Sequence, residues 1–327
     1  MKTHYGHAIR LASTTQLTHA QWLAIRQQGI GSSDAAAAIG LSRYKSPLTL
    51  WLEKTGRKAC DDLSQNAAVQ WGIALEPLLA QVYAKRTGHK VRRVNAVLQH
   101  PRHPFMLANL DREVIGDPLG TGTLEIKTAS YHSAPQWEDG IPVAYQCQVL
   151  HQLAVTGHAW ADVAVLIGGQ DFRIYRIFPD DAKIADLIAR ETQFWQHVIH
   201  QRQPSPDGSE DAGQALQWLF PRDDGDTVDL SDSAEFNPLF SELLQLRQDK
   251  ERLEQQESLI KQRLQAALGS ASAGIFARGK IMWTCSKDRL VPDLQQLEQE
   301  HPSLLARYQK TVPGTRRFTV QPQRSAS

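Results

Sequence analysis

Cysteine is scarce. The three present, Cys60, Cys147 and Cys285, are odd in number, far apart, and form no C-x-x-C or Cys/His cluster. That argues against a disulfide framework and a zinc site, and it fits a reducing, cytoplasmic setting. Net charge is scarce too: 36 Lys and Arg against 35 Asp and Glu leave +1. No overall basic field announces a nucleic acid, so such a partner has to be met by a local patch. No apolar run reaches the roughly 18 residues that a membrane helix needs. The N-terminus lacks the apolar core of a signal peptide, so neither a membrane span nor a secretory signal is expected. Internal repeats and low-complexity tracts do not stand out. What is present is ordinary globular material, 327 residues with 41% hydrophobic content. That suffices for one large domain with an extension, or for two domains.

The stretch 105–148 organises the rest. Asp111 ends one strand-like run, and Glu125 and Lys127 lie on the next. Residues i and i+2 of a strand share a face, so Glu125 and Lys127 point one way while Leu124 and Ile126 point into the opposite layer. The segment 116–122 is turn chemistry, and a hairpin through it would set Asp111 beside Glu125. Burying unpaired carboxylates costs several kcal/mol each. A hard divalent cation would offset that cost, since oxygen ligands suit Mg²⁺. Such an ion can activate a water against a phosphate, with Lys127 holding the water or the developing charge. An isolated E-x-K is also what an ordinary cross-face ion pair looks like, so the surroundings have to decide.

Those surroundings are informative. Residues 1–18 read as irregular, and a helix over 18–28 carries Arg26 and stops at Gly29. Gly31, Ser32, Ser33 and Asp34 then precede a helix over 35–39. Such a turn exposes backbone N–H groups and hydroxyls to an anion, with Arg26 nearby, although plain capping by Ser33 or Asp34 gives the same pattern. Ser46 and Pro47 open another helix. A long helix over 66–87 carries Glu76 just before Pro77, which implies a kink or a fresh start that would aim Glu76 inward. Residues 85–103 hold six basic residues and no acidic one, which suits phosphate contacts as well as a solvated basic face. On the helix 144–156, Gln148 and Gln152 share a face at i and i+4, which suggests a polar cluster facing the carboxylates. A hairpin through Gly168 and Gly169 and an amphipathic helix over 180–200 follow.

Composition then shifts, and 204–232 reads as a linker. Beyond it, 238–268 shows a heptad-like stripe interrupted by Lys250 and Glu257, favouring a helical hairpin or short coiled-coil contact over a long dimeric zipper. Two short strands, near 276–285 and 316–320, with a helix between them complete a small α+β module.

Arg26, Gly-x-x-x-Glu76, Asp111, Glu125-x-Lys127 and Tyr145-x-x-Gln148 occur in one order. That order, with the segments GIGSSDAAAAIG, WGIALEP, LANLDREV, LEIKTAS and AYQCQVLHQLAVTG, resembles the YqaJ-type viral recombinase family. The family is the lambda-type phage exonuclease branch of the PD-(D/E)XK nuclease superfamily. The resemblance covers roughly 20–200 and implies an α/β restriction-endonuclease-like core over 1–203, a mixed central sheet flanked by helices. A linker over 204–232 and a C-terminal helical and α+β module over 233–327 would complete the chain. It implies that Asp111 and Glu125, with the Ile126 carbonyl and Glu76, hold Mg²⁺, for which Mn²⁺ can substitute. Lys127 would be the catalytic lysine. Gln148 would support it, with Gln146 or Gln152 as alternatives if the register slips. Arg26, Ser32, Ser33 and Asn109 would hold a 5′-phosphate. Leu110 stands where the superfamily motif has proline, and the interval from Asp111 to Glu125 is longer than the family minimum. The implied activity is 5′→3′ digestion of linear double-stranded DNA from its ends in recombination, leaving 3′ tails for a single-strand annealing protein. A homotrimer is implied by the lambda-type relatives. An endonuclease of the same chemistry and a non-catalytic DNA-end-binding scaffold are the alternatives.

Overall fold

The structure is a computed structural model that describes residues 5–321. Residues 1–4, within the expected irregular stretch, and 322–327, at the end of the expected C-terminal module, lie outside the described residues. The chain divides into two compact units between Leu219 and Phe220.

The first unit opens with β1 (Ile9–Ser13), α1 (His19–Gln27), β2 (Ile30–Gly31), a 3₁₀ turn at Ser32–Asp34, α2 (Ala35–Ala38) and α3 (Pro47–Lys54). Local chemistry sets these ends. Thr18 and Gln21 close a capping box at α1, and Ser46 caps α3 with Pro47 in its first turn. There follow α4 (Ala67–Thr87), β3 (Lys90–Arg93), β4 (Ala96–Gln99), β5 (Met106–Ala108), β6 (Arg112–Ile115) and β7 (Gly122–Ala129). Then come α5 (Val143–Thr156), β8 (Trp160–Ile167), β9 (Asp171–Ile177), α6 (Asp181–Ile199) and α7 (Glu210–Leu219).

The strands form a five-stranded mixed sheet, β3-β6-β7-β8-β9, and a four-stranded sheet, β1-β4-β5-β2. In the larger sheet β7 and β8 are parallel and joined through α5, as a parallel pair requires a crossover. The other neighbours are antiparallel. Period-two alternation divides β7 between two layers. Leu124 and Ile126 pack with Leu79, Ala80 and Tyr83 of α4, while Val149 and Leu153 of α5 pack with Val163 and Val165 on the other face. Glu125 and Lys127 therefore face α5. The architecture is mixed α/β.

Several expectations need correction. β1 occupies part of the stretch expected to be irregular and pairs with β4, with a bulge between Arg10 and Ala12. It is an edge strand with three exposed residues, so no alternation marks it in the sequence. The second sheet was not foreseen. α4 runs unbroken through Pro77. Pro77 deprives the Ile73 carbonyl of its helical donor, and Ile73 is exposed, so water can replace it. α7 lies inside the expected linker, with Ala215 buried against a core that includes Leu48, Trp51 and Phe194.

In the second unit, α8 (Phe236–Leu268) is one continuous helix of 33 residues, not a helical hairpin. It is followed by the hairpin of β10 (Ala273–Phe276) and β11 (Gly279–Met282), then α9 (Leu294–Glu300) and α10 (Pro302–Arg307). The strand expected at 316–320 does not form. Among the described residues, no helix is long and apolar enough to cross a membrane.

Gly122, at the head of β7, lies against the Trp160 indole, and a Cβ there would meet three ring carbons at 2.6–2.7 Å. Gly122→Ala should cost about 1–3 kcal/mol through overpacking. An unchanged urea-unfolding midpoint would show that the indole yields freely.

Candidate active site

β6 and β7 pair with Arg112 opposite Leu124, which carries Asp111 to the level of Glu125 just beyond the end of β6. The turn between them contains Gly116 and Gly120, both at positive φ, which lets the chain reverse over the longer interval. Asp111 Oδ2 accepts the backbone N–H of Ile126 at 2.8 Å. In an extended strand the N–H and C=O of one residue project to the same side. The Ile126 carbonyl therefore faces the Asp111 side, where β6 has already ended.

Glu125 is buried and takes three side-chain hydrogen bonds. Lys127 Nζ and Gln148 Nε2 donate to its Oε1, both at 2.6 Å, and Gln152 Nε2 donates to its Oε2 at 2.7 Å. Lys127 Nζ also donates to Gln148 Oε1 at 3.0 Å and stands 5.0 Å from the centre of the Tyr145 ring. One turn of α5 thus grips both chemistry-bearing residues of β7. Asp111, Glu125, Ile126 and Lys127 open into a cleft of about 340 Å³ whose other wall is α4, with Val69, Ile73 and Glu76.

The two carboxyl groups differ in surroundings. Burial and the neighbouring Glu125 push the Asp111 carboxyl up to about 8, despite the Ile126 N–H and Lys127. Burial alone would lower Lys127, but Glu125 and Asp111 outweigh it and raise its pKa, so the ammonium keeps its proton. The site is thus one positive charge short for two ionised carboxylates. Two carboxylates and a backbone carbonyl are hard oxygen donors that suit Mg²⁺, which keeps waters and takes substrate phosphate oxygens for its remaining positions. Among the described residues no three His, Cys, Asp or Glu side chains form a closed ligand set. Glu76 lines the cleft, but its Oε1 accepts from Arg112 Nη1 at 2.5 Å. It holds Arg112 beside Asp111 and stands close enough to Asp111 to add to the upward push on that carboxyl.

The glycine- and serine-rich turn lies on the same helix from another side: Ala35 and Ala36 pack on Cys147 of α5. Arg26 Nη2 donates to the exposed Ser33 Oγ at 2.9 Å and to Asp34 Oδ2 at 3.0 Å, and Lys54 Nζ donates to Asp34 Oδ2 at 2.9 Å. Neither Ser33 nor Asp34 caps a helix with its side chain. Ser32 is buried, and Asn109 Nδ2 donates to the Ala96 carbonyl at 3.1 Å, tying the β5–β6 link to β4.

A family model for the YqaJ-like viral recombinase domain matches residues 21–159. An uncharacterised protein of Bacillus subtilis (strain 168), YqaJ, is 32% identical over 318 residues, spanning 95% of this chain and 97% of its own. The chain belongs to the YqaJ-like viral recombinase family. Among solved structures it is similar to an alkaline exonuclease from Laribacter hongkongensis, with 25% identity over 56% of this chain and 94% of that one, and a TM-score of 0.46. It is also similar to a phage-related exonuclease from Haemophilus somnus 129PT, with 12% identity over 53% and 96% of the two chains and a TM-score of 0.37.

The span that matches the YqaJ-like model contains Arg26, Ser33, Glu76, Asp111, Glu125, Lys127 and Gln148. Three participants escaped sequence reasoning. Arg112, adjacent to Asp111, reads as an ordinary strand arginine. Lys54 closes the last turn of α3 and looks like a solvated helix end. Asp34 looks like a cap but is a buried ion-pair partner of both Arg26 and Lys54. Gln152 was visible through its i,i+4 relation to Gln148.

Because Asp111 holds its proton up to about pH 8 when folded, against an ordinary 3.8, the unfolded chain releases that proton first. Stability of the metal-free protein should therefore fall as pH rises from about 4 to about 8. Asp111→Asn should escape that loss, matching wild type near pH 4 and exceeding it at pH 8, and Mg²⁺ should flatten the wild-type curve. Thermal unfolding in EDTA across this range tests it; parallel curves for the two proteins would refute the burial argument.

Proposed function

We propose that the chain is a metal-dependent deoxyribonuclease with a PD-(D/E)XK core that hydrolyses DNA phosphodiester bonds in the cytoplasm. On this reading it digests linear double-stranded DNA 5′→3′ from its ends and leaves 3′ tails for an annealing partner. The observation that carries the proposal is the charged knot of Glu125, Lys127 and Gln148 beside Asp111 at the floor of an open cleft. A merely structural ion pair needs no second carboxylate set so close to the first that its pKa is raised. Membership in a recombinase family supports DNA as the substrate. The trimer rests on the resemblance alone.

Asp111, Glu125 and the Ile126 carbonyl would hold Mg²⁺, or Mn²⁺ in its place, which when bound polarises a phosphate oxygen and lowers the pKa of a coordinated water. The chain's own residues do the rest. Lys127 keeps its proton, so it donates a hydrogen bond to the incoming water or to the phosphate oxygen on which charge builds, rather than acting as a base. Gln148 bridges Lys127 and Glu125 and fixes both. Gln152 holds the other Glu125 oxygen. Arg26, steered by Asp34 toward Ser33, presents its guanidinium to a terminal 5′-phosphate, with Lys54 adding a second positive charge behind it.

The test is digestion with purified protein and Mg²⁺ of three duplexes: linear 5′-phosphorylated, linear without the phosphate, and covalently closed circular. Loss of linear DNA alone, fastest with the phosphate and abolished by EDTA, is the expected result. Asp111→Ala and Lys127→Ala should remove cleavage by at least about a hundredfold while DNA binding persists. Cutting of circles would replace the exonuclease with an endonuclease, and firm end binding without cleavage would favour a scaffold. Arg26→Ala should erase the preference for phosphorylated ends; an undiminished preference would remove Arg26 from that role.

A further inference from the structure

Among the described residues, the heptad stripe of α8 is left largely uncovered within its own unit. No residue of the helix is buried, and Leu239, Leu246, Leu253 and Ile260 are all more than half exposed. With Ala267 these occupy the d positions of one unbroken heptad frame, and Leu243, Lys250, Glu257 and Leu264 occupy the a positions. The helix is about 50 Å long at 1.5 Å per residue, ample for a coiled coil. The charges determine which one.

We propose that α8 pairs with α8 of a second copy of this chain as an antiparallel two-stranded coiled coil. In an antiparallel pair a packs against d, while e faces e and g faces g. One register sets Lys250 against Leu253 of the second copy, Leu246 against Glu257, Leu243 against Ile260, and Leu239 against Leu264. Its two-fold axis falls beside Arg252, the midpoint of Phe236–Leu268, so the helices overlap along their whole length. In that register Lys250 lies one layer from Glu257 of the second copy, and the two residues that interrupt the apolar stripe of one helix become complementary across two. The flanks agree: Arg247 faces Glu254 of the second copy at e, and Glu242 faces Arg263 at g. By symmetry each of these contacts occurs twice.

Other arrangements lack this match. Sliding one helix by a heptad sets Arg247 against Arg247 or Lys261 of the second copy. A parallel in-register pair buries Lys250 on Lys250 and Glu257 on Glu257, and sets Asp249 across from Glu254. Like charges at such positions are destabilising.

The test uses the full chain in sedimentation equilibrium at low salt, where screening is least. Glu242 and Arg263 lie 21 residues apart on one helix, about 31 Å by helical rise, so they interact only between copies. Glu242→Arg and Arg263→Glu should each weaken association by about tenfold, since each turns two attractive pairs into repulsive ones. The double variant should restore it to within about threefold. Leu246→Asp with Leu253→Asp should halve the assembly mass, with helix content by circular dichroism unchanged because these side chains are exposed. Three outcomes would overturn the proposal: no two-fold association step in the wild type, an assembly mass insensitive to the leucine changes, or a double variant no better than either single reversal.

Discussion

A buried carboxylate dictates much of the first unit. Glu125 sits between a sheet and a helix with almost no access to water, and an unpartnered charge there would cost several kcal/mol. Its three donors come from two elements, Lys127 from β7 and Gln148 and Gln152 from α5. Hydrogen bonds to charged groups contribute roughly 1.5–3 kcal/mol each. They also fix the rotation of α5, because only one helical face offers two glutamines a turn apart. With that rotation set, Val149 and Leu153 fall on β8 and Cys147 falls on α2. His151 reaches Glu191 of α6 at 2.8 Å and the Leu107 carbonyl of β5 at 3.0 Å. One helix thereby connects the larger sheet, the smaller sheet, the glycine- and serine-rich turn and α6.

Legibility in the sequence followed the range of the interactions. The placement of Asp111 beside Glu125 was readable because a hairpin is local and strand alternation has a fixed period. Gln148 and Gln152 were readable because polar side chains on an apolar helix face demand partners. The ion pairs of Asp34 with Lys54 and of Glu76 with Arg112 join separate elements, and no spacing rule links their members. β1 escaped because an exposed edge strand needs no apolar alternation. α7 escaped because it is only 10 residues long and lies between stretches rich in Pro, Gly and Asp, although Ala212, Ala215, Leu216 and Leu219 give it an inner face. Pro77 starts no fresh helix, since α4 continues through it, and Glu76 just before it lines the cleft.

Two aspartates, Asp34 buried and Asp111 half-buried, show what the site lacks. Asp34 lies between Arg26 and Lys54, and despite burial these cations hold its carboxyl far below the usual range. The chain has already supplied its counter-charges, so Asp34 works as an anchor that aims Arg26. Asp111 is half-buried at the cleft and lies next to a second carboxylate, and the Lys127 ammonium is hydrogen-bonded to that neighbour. One backbone N–H, from Ile126, is its hydrogen-bonded compensation. A fold that needed Asp111 only for packing would be more stable with an amide there. Retaining an acid where its own charge is disfavoured makes physical sense if a cation arrives from outside, and the open cleft beside it gives that cation and a phosphate a route in.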